Sequence, residues 1–388
     1  MPRTYLDHNA TTAVNPAVVD AMAAVLRDDF GNPSSVHHFG QRAKAAIDQA
    51  RSAVAALIGA DPSEVVFTSG GTESDNFAIR GVAEALGPAR RRHLIVTAIE
   101  HEAVLNTVKA LSRHGWTSTL LAVGETGIAS ADTLSAALTG DTALVSVMHA
   151  NNEIGTIQPV AEMARLAHER GALFHTDAVQ SAGKIRVDVK ALEVDLLSIS
   201  AHKFYGPKGV GALWVRRGLR LFPILTGGKH ERSRRAGTEN VPGIVGMGVA
   251  ASLAAAKMDE EARRVSALRD RLEERVLRAV PGTTVNGARS ARVPNTTNIS
   301  FDRVEAESLL IALDLEGVAV STGSACSSGT LEPSHVLKAM GFPAHRTQNS
   351  IRFSLGAANT DADIERVVAI LPGIVEKLRS LTRVPARA

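Results

Sequence analysis

Between residues 65 and 215, short apolar runs alternate with stretches of helical spacing, and that alternation restricts what the chain can become. The runs at 65–68, 94–98, 118–122, 144–148, 172–175, 194–199 and 210–215 read as strands. The stretches at 72–86, 103–113, 131–138 and 159–170 read as helices between them. Strands alternating with helices give an α/β fold, with a mainly parallel sheet covered on both faces. Ligands of such sheets bind outside the carboxyl ends of the strands. Two earlier segments, 16–29 and 40–58, also carry helical spacing, and Gly59 closes the second.

After Pro242 the texture changes. A long helical stretch runs to about 280, is charged from Lys257 onward, and is broken by Pro281 and Gly282. Beyond it, strands are expected near 298–301, 318–321 and 350–355. Helices are expected from Glu305, after Pro333 and from near Asp361. We expect a large domain over 13–256 and a smaller α/β domain formed by 1–12 together with 257–388. No internal repeat is evident.

At 388 residues, 45% apolar and 21% charged, the chain has the make-up of an ordinary globular protein with material for a large core. A net charge of +3 is too small to argue for nucleic acid, and no basic run is interleaved with aromatics. The N-terminal residues, Met1 to His8, contain no hydrophobic signal region. The most apolar window, 241–256, is shorter than a membrane span and reads as a buried helix. A cytoplasmic protein is expected. A single cysteine, Cys326, rules out an intramolecular disulfide and a cysteine-rich metal site, and no metal is expected.

The chemistry-bearing residues fall where the expected strands end. In Ser200-Ala201-His202-Lys203, a lysine follows an apolar strand and precedes a glycine-rich turn. A lysine gains nothing from a buried strand end unless it pairs or does chemistry. It suits covalent attachment of a carbonyl cofactor, with Ser200 and His202 as donors to a phosphate, or else a plain surface loop. Gly70-Gly71-Thr72 joins a strand to a helix start, where backbone N–H groups favour an anion; Thr72 reads equally as a helix cap. The glycine pattern is neither a Walker motif nor a G-x-G-x-x-G, so it gives no support to ATP or NAD.

Asp177 and Gln180 end another strand. A carboxylate there suits a protonated pyridine nitrogen, and the amide suits a phenolate oxygen. A solvated helix cap is the alternative. His101 follows the strand at 94–98 and could stack on a flat ring and move protons. Asn151 and Asn152 end a further strand and either orient a substrate carboxylate or make a turn. The polar stretch 230–240, which includes Thr238, reads as an exposed loop. Arg352 stands alone in an apolar strand and needs an anionic partner, for which a substrate carboxylate is a natural candidate. Cys326 lies in a Ser/Gly-rich stretch that has nothing to pack, so a reactive thiol on a mobile, accessible loop over about 321–332 is expected.

Taken together, these residues closely resemble the NifS/IscS-type cysteine desulfurases, class V pyridoxal-phosphate enzymes of the type I, aspartate-aminotransferase fold. The resemblance runs from Tyr5-Leu6-Asp7-His8-Asn9-Ala10-Thr11-Thr12 to the last helix. It implies Lys203 as the lysine that carries pyridoxal phosphate and Thr72, Ser200 and His202 as phosphate ligands, with Gly71 in the same turn. It implies Asp177 as partner of the ring nitrogen, Gln180 of the phenolate, and His101 as the stacking histidine. Asn152 and Arg352 would hold the substrate carboxylate. Thr238 would reach a phosphate across a homodimer interface, and Cys326 would take the sulfur.

The implied activity converts L-cysteine to L-alanine, leaves a persulfide on Cys326, and passes the sulfur to an acceptor for iron–sulfur cluster assembly or thio-cofactor synthesis. A selenocysteine lyase or another class V aminotransferase-like enzyme would keep the cofactor and change the reaction. A non-catalytic scaffold would use only the fold. The exposed Cys326 argues against the aminotransferase, and the set Lys203, Asp177 and Arg352 against the scaffold. Gly237-Thr238-Glu239-Asn240 is similar to the nitrogenase-associated branch, and Asn151-Asn152-Glu153-Ile154-Gly155 to the housekeeping branch.

Overall fold

A computed structural model of the chain describes residues 3–86, 91–323 and 333–381. The chain opens with a short strand, β1 (Thr4–Tyr5), and two helices, α1 (Pro16–Asp28) and α2 (His38–Leu57). An alternating run follows: β2 (Val65–Thr68), α3 (Gly71–Leu86), β3 (His93–Thr97), α4 (Glu102–Ser112), β4 (Thr117–Leu121), α5 (Ala131–Ala137), β5 (Thr142–Ser146), α6 (Val160–Glu169), β6 (Leu173–Asp177), β7 (Leu196–Ser200) and β8 (Gly211–Val215). A tight turn, α7 (His230–Ser233), leads to the long helix α8 (Val241–Ala279). The chain ends with β9 (Thr283–Asn286), β10 (Thr296–Phe301), α9 (Ala306–Leu315), β11 (Val318–Ala319), α10 (His335–Ala339), α11 (Ala344–Gln348), β12 (Ser350–Ser354) and α12 (Asp361–Leu381).

The main sheet has the order β2-β8-β7-β6-β5-β3-β4. The pairings from β7 through to β4 are parallel, and β8 runs antiparallel between β7 and β2. The sheet is therefore mainly parallel, as the alternation requires. Its strands read as continuous apolar runs because both faces are covered. Side chains alternate between the faces: Val65, Phe67, Ile95, Leu197 and Ile199 join one apolar cluster with α1, α2, α6 and the first part of α8. Val66, Leu94, Val96, Leu196 and Leu213 join another with α3 and α4. Because β8 is antiparallel, β2, β3, β5, β6 and β7 all bring their carboxyl ends to one edge of the sheet.

A third cluster gathers β10, β12, α9, α12 and the second part of α8 around Phe301, Ile351 and Phe353. The helix α8 is long and apolar enough, by length and composition, to cross a membrane. Its apolar residues are instead shared between two cores: Ile244, Met247 and Ala251 face the first cluster, and Leu268, Leu272 and Val276 the third. The helix thus continues well beyond the apolar window seen in the sequence. Leu6 also belongs to the third cluster, and β1 pairs in parallel with β11. Asp7 and Ser321 bridge to Ser354 and Arg352 of β12.

The turn at α7 is backbone-strained. Glu231, Arg232 and Ser233 all take positive φ, 45°, 57° and 64°, although none is glycine. A buried ion pair holds it. Glu231 accepts two bonds from Arg51 of α2, each 2.7 Å, and one from the Phe67 N–H at 2.8 Å. The Arg51 guanidinium also stacks 4.7 Å above the Phe67 ring. Glu231→Ala should therefore cost about 3–5 kcal/mol, because Arg51 is left buried and unpaired. The double replacement Arg51→Met with Glu231→Leu should cost less than the single. Urea midpoints of the three proteins check the order, and a harmless Glu231→Ala contradicts it.

Candidate active site

The carboxyl edge of the sheet opens into a cavity of about 630 Å³. Each strand end contributes. After β2 come Gly71 and Thr72, after β3 His101, and after β5 Met148 and Asn152. Strand β6 ends on Asp177, with Val179 and Gln180 beyond it, and β7 ends on Ser200, followed by His202 and Lys203. Arg352 of β12 closes the far side with Asp7, Asn9, Ser321, Thr322 and Gly323. The expected residues Gly71, Thr72, His101, Asn152, Asp177, Gln180, Ser200, His202, Lys203 and Arg352 are thus brought together.

Local structure explains their poses. The helix α3 begins at Gly71, so Thr72 sits inside its first turn rather than capping it. The first N–H groups of α3 have no partner within the helix and point at the cavity edge. His101 caps α4: its Nδ1 accepts the Ala103 N–H at 3.1 Å, which leaves Nε2 to carry the proton of the neutral ring. The two amides of the β5 turn divide the work left open by the sequence. Asn151 builds the turn, accepting from the Glu153 and Ile154 N–H groups, and Asn152 faces the cavity with a buried Oδ1 that has no partner.

The Lys203 amine donates to the Asn9 carbonyl at 2.5 Å and the Ala10 carbonyl at 2.8 Å. Burial, and then Arg352, push its pKa from 10.5 down to about 8. His202 is driven to about 4, first by burial and then by Lys203, so it is neutral at pH 7, with Nδ1 3.2 Å from the Thr11 hydroxyl. Asp177 Oδ1 accepts the Val179 N–H at 2.8 Å. Burial raises its carboxyl, against the pull of His101 and Lys203. Gln180 is pinned from both sides: its amide nitrogen donates to the Asn9 carbonyl at 3.0 Å, and its oxygen accepts from Lys184 at 2.8 Å. Arg352 already has a resident anion, Asp7, whose Oδ1 lies 2.7 Å from Nη2, while Nη1 donates to the Asn152 carbonyl at 2.9 Å. The buried arginine therefore has an anionic partner within the chain, one that its own stretch of sequence does not reveal.

The donor set fits pyridoxal phosphate. Thr72, Ser200, neutral His202 and the start of α3 cluster at one end, as a phosphate requires. A Cβ at Gly71 would stand 2.9 Å from Val179 Cγ2, so a larger residue here would have to displace the Val179 side chain. A protonated pyridine nitrogen would relieve the burial cost at Asp177. Two expected residues are not placed in the cavity. Thr238 lies on an exposed loop and is not among the lining residues, and Cys326 lies outside the described residues. Among the described residues no group of acidic, histidine and cysteine side chains could hold a metal.

The sequence reading missed Asp7, Asn9 and Asp75. Asp75 is 1% exposed, lines the cavity floor, and has an Oδ1 with no hydrogen-bond partner. Its signal was present: it falls on the buried stripe of α3 with Ser74, Ala78, Ile79 and Val82, where a charge is out of place.

The sequence profile of the class-V aminotransferases matches residues 4–367. A protein of a Nostoc species named cysteine desulfurase is 53% identical over 97% of this chain and 94% of its own length. A protein of Dictyoglomus turgidum named cysteine desulfurase IscS is 51% identical over 97% and 96%. A solved structure described as a NifS-like protein superposes with a TM-score of 0.92 at 38% identity, covering 97% of this chain and all of that one.

The low amine pKa has a direct consequence. A lysine whose pKa is lowered to about 8 becomes nucleophilic as pH rises through that value, well before 10.5. Uptake of pyridoxal phosphate by the cofactor-free protein should accelerate up to about pH 8 and then level off. Arg352→Leu removes a cationic neighbour and frees Asp7, so it should move the midpoint upward. Absorbance traces across pH, with borohydride fixation on the Lys203 peptide, check this. A wild-type midpoint near that of free lysine contradicts it.

Proposed function

The chain belongs to the class V aminotransferase family, and within it we propose that Lys203 carries the cofactor and Cys326 takes the sulfur. The protein is a cysteine desulfurase, a pyridoxal-phosphate enzyme that removes sulfur from cysteine. The observation that carries the residue assignment is that one cavity gathers a low-pKa lysine, a buried aspartate and an asparagine with an orphaned Oδ1 from three strand ends, and a buried arginine from β12.

When bound, pyridoxal phosphate stabilises the electron pair left on the substrate's α-carbon. Asp177 would hold the proton on the ring nitrogen, and Gln180 would donate its remaining amide hydrogen to the phenolate. Asn152 and Arg352 would orient the substrate carboxylate, with Asp7 and the Asn152 carbonyl holding the guanidinium in place. The Lys203 amine takes the α-proton. Its lowered pKa leaves a sizeable neutral fraction near pH 8. His101, whose Nδ1 is held by the Ala103 N–H, would deliver or remove protons through Nε2. The Cys326 thiolate attacks the sulfur of the bound cysteine. An S–S bond forms as the C–S bond breaks, the C–S electron pair stays with carbon, that carbon takes a proton, and the α-carbon regains the proton held by Lys203. Alanine and a Cys326 persulfide result, and no external oxidant is consumed.

The active unit is a homodimer in this reading. What supports it is the placement of Thr238 on an exposed loop outside its own cavity, where a phosphate ligand would have to serve a neighbour. The persulfide sulfur passes to an acceptor protein for iron–sulfur cluster assembly or thio-cofactor synthesis.

Cys326→Ser separates the two halves of the chemistry. The variant should fold, hold the cofactor and change its visible spectrum with cysteine. It should release almost no alanine, since a serine hydroxyl is a far poorer nucleophile at neutral pH than a thiolate. A well-folded Cys326→Ser enzyme turning over cysteine at the wild-type rate would overturn the assignment. Mixing inactive Lys203→Ala chains with impaired Thr238→Ala chains tests the shared site. Subunit exchange should restore activity at one site per mixed dimer, and no recovery after proven exchange counts against sharing.

A further inference from the structure

Asn152 and Arg352 lie at one wall of the cavity, and the residue next to Asn152 is a buried acid that this chemistry does not use. Glu153 is 1% exposed. Its backbone is fixed at both ends: its N–H donates to Asn151 Oδ1 at 2.8 Å, and its carbonyl accepts from Asn298 of β10 at 3.3 Å. Its carboxyl reaches two separate places in the chain. Ser334 Oγ donates to Glu153 Oε2 at 2.5 Å, and the same hydroxyl caps α10 by accepting the Leu337 N–H at 3.1 Å. Gly323 packs on the same carboxyl, so closely that a Cβ there would lie 2.9 Å from Oε2; its φ of 93° also favours glycine. Gly323 and Ser334 flank the stretch that contains Cys326.

On the near side, Gly323 follows Ser321, which exchanges backbone bonds with Arg352: the Arg352 N–H donates to the Ser321 carbonyl at 2.7 Å. One buried carboxyl therefore joins the turn carrying Asn152, the approach from Arg352, and the cap of the helix beyond Cys326. The Asn152 turn, Gly323 and the cap of α10 are thus held together through this one side chain.

We propose that Glu153 is a positioning residue for sulfur transfer: its carboxyl ties both flanks of the Cys326 stretch to the Asn152 turn and so sets where the thiol meets the substrate's sulfur. The inference rests on Cys326 as the sulfur acceptor. It places no chemistry on Glu153 itself, only an acceptor oxygen and a surface against which Gly323 packs.

The test uses the holoenzyme in a single turnover with L-cysteine, following the cofactor spectrum and the mass of the intact chain. Glu153→Ala should keep the cofactor absorbance and the cysteine-dependent spectral change at unaltered cysteine concentrations. It should gain the Cys326 sulfur about tenfold to a hundredfold more slowly, the scale of a misplaced reacting group. Glu153→Gln keeps an oxygen for the Ser334 hydroxyl and should recover most of the rate. Ser334→Ala cuts one tie while leaving the carboxyl, and should fall between; it carries the test if Glu153→Ala does not fold. A second measurement needs no turnover. In urea unfolding of the cofactor-free protein, Gly323→Ala should cost less in the Glu153→Ala background than alone, because the packing partner is gone. Wild-type sulfur gain in Glu153→Ala or Ser334→Ala, a slowing matched by loss of the spectral change, or strict additivity with Gly323→Ala would each overturn the proposal. A wild-type protein that turns over cysteine without sulfur on Cys326 overturns the underlying reading, and this inference with it.

Discussion

The carbonyl oxygens of Asn9 and Ala10 hold the Lys203 amine, and most of the site hangs from the segment they belong to. Asn9 also receives the amide of Gln180 on its carbonyl, while its side chain bonds Lys184, Thr296 and Asn295. Two residues before it, Asp7 pairs with Arg352, and three after it Thr12 bonds the backbone of His202 and Tyr205. Residues 7–12 thus stitch the carboxyl edge of the main sheet to β10 and β12. The stitch lets a lysine on one core and an arginine on another face the same cavity at fixed separation. Preorganisation of this kind is where much of an enzyme's rate advantage originates.

Beneath the cavity, charge is held in an unfavourable state. Asp75, Glu100 and Asp177 are all buried and within mutual electrostatic reach, and burial raises each of them, Glu100 to about 8. His175 lies between the sheet and α3, with Ser146 2.8 Å and Ser198 3.0 Å away, and burial drives it down to about 3. Its 3.7 Å approach to Asp75 is therefore not an ion pair, because the histidine is neutral and the acid is pushed toward its protonated form. A cationic ring nitrogen at Asp177 would offset part of this cost. Within the chain, Lys203 and His101 supply part of that offset at Asp177.

The strand ends were legible in the sequence because their signals are local. An apolar run followed by glycine, asparagine or a helix cap marks the end of a buried strand wherever it sits. Thr72, His101, Asn152, Asp177 and Lys203 were each found that way, and the structure gathers them in one cavity. The roles of Asp7, Asn9 and Glu153 were not legible. Each acts through partners more than a hundred residues away, as with Asp7 and Arg352 or Glu153 and Ser334. The length of α8, read to about 280, was legible from its spacing, but not that its apolar first part serves one core and its more polar remainder a second.

The sequence by itself determined the class of fold, the direction of the sheet and the set of residue types at its carboxyl edge. Period and turn chemistry act over a few residues, and backbone sterics leave them little choice. Only the tertiary structure decided which of those residues share a cavity, which amide of the Asn151–Asn152 pair is a strut and which lines the cavity, and that Arg352 is paired with Asp7. It also decided the protonation of the site. The pKa values near 8 at Lys203 and near 4 at His202 come from burial and from charges folded in from distant segments, and no stretch of sequence contains its own dielectric environment.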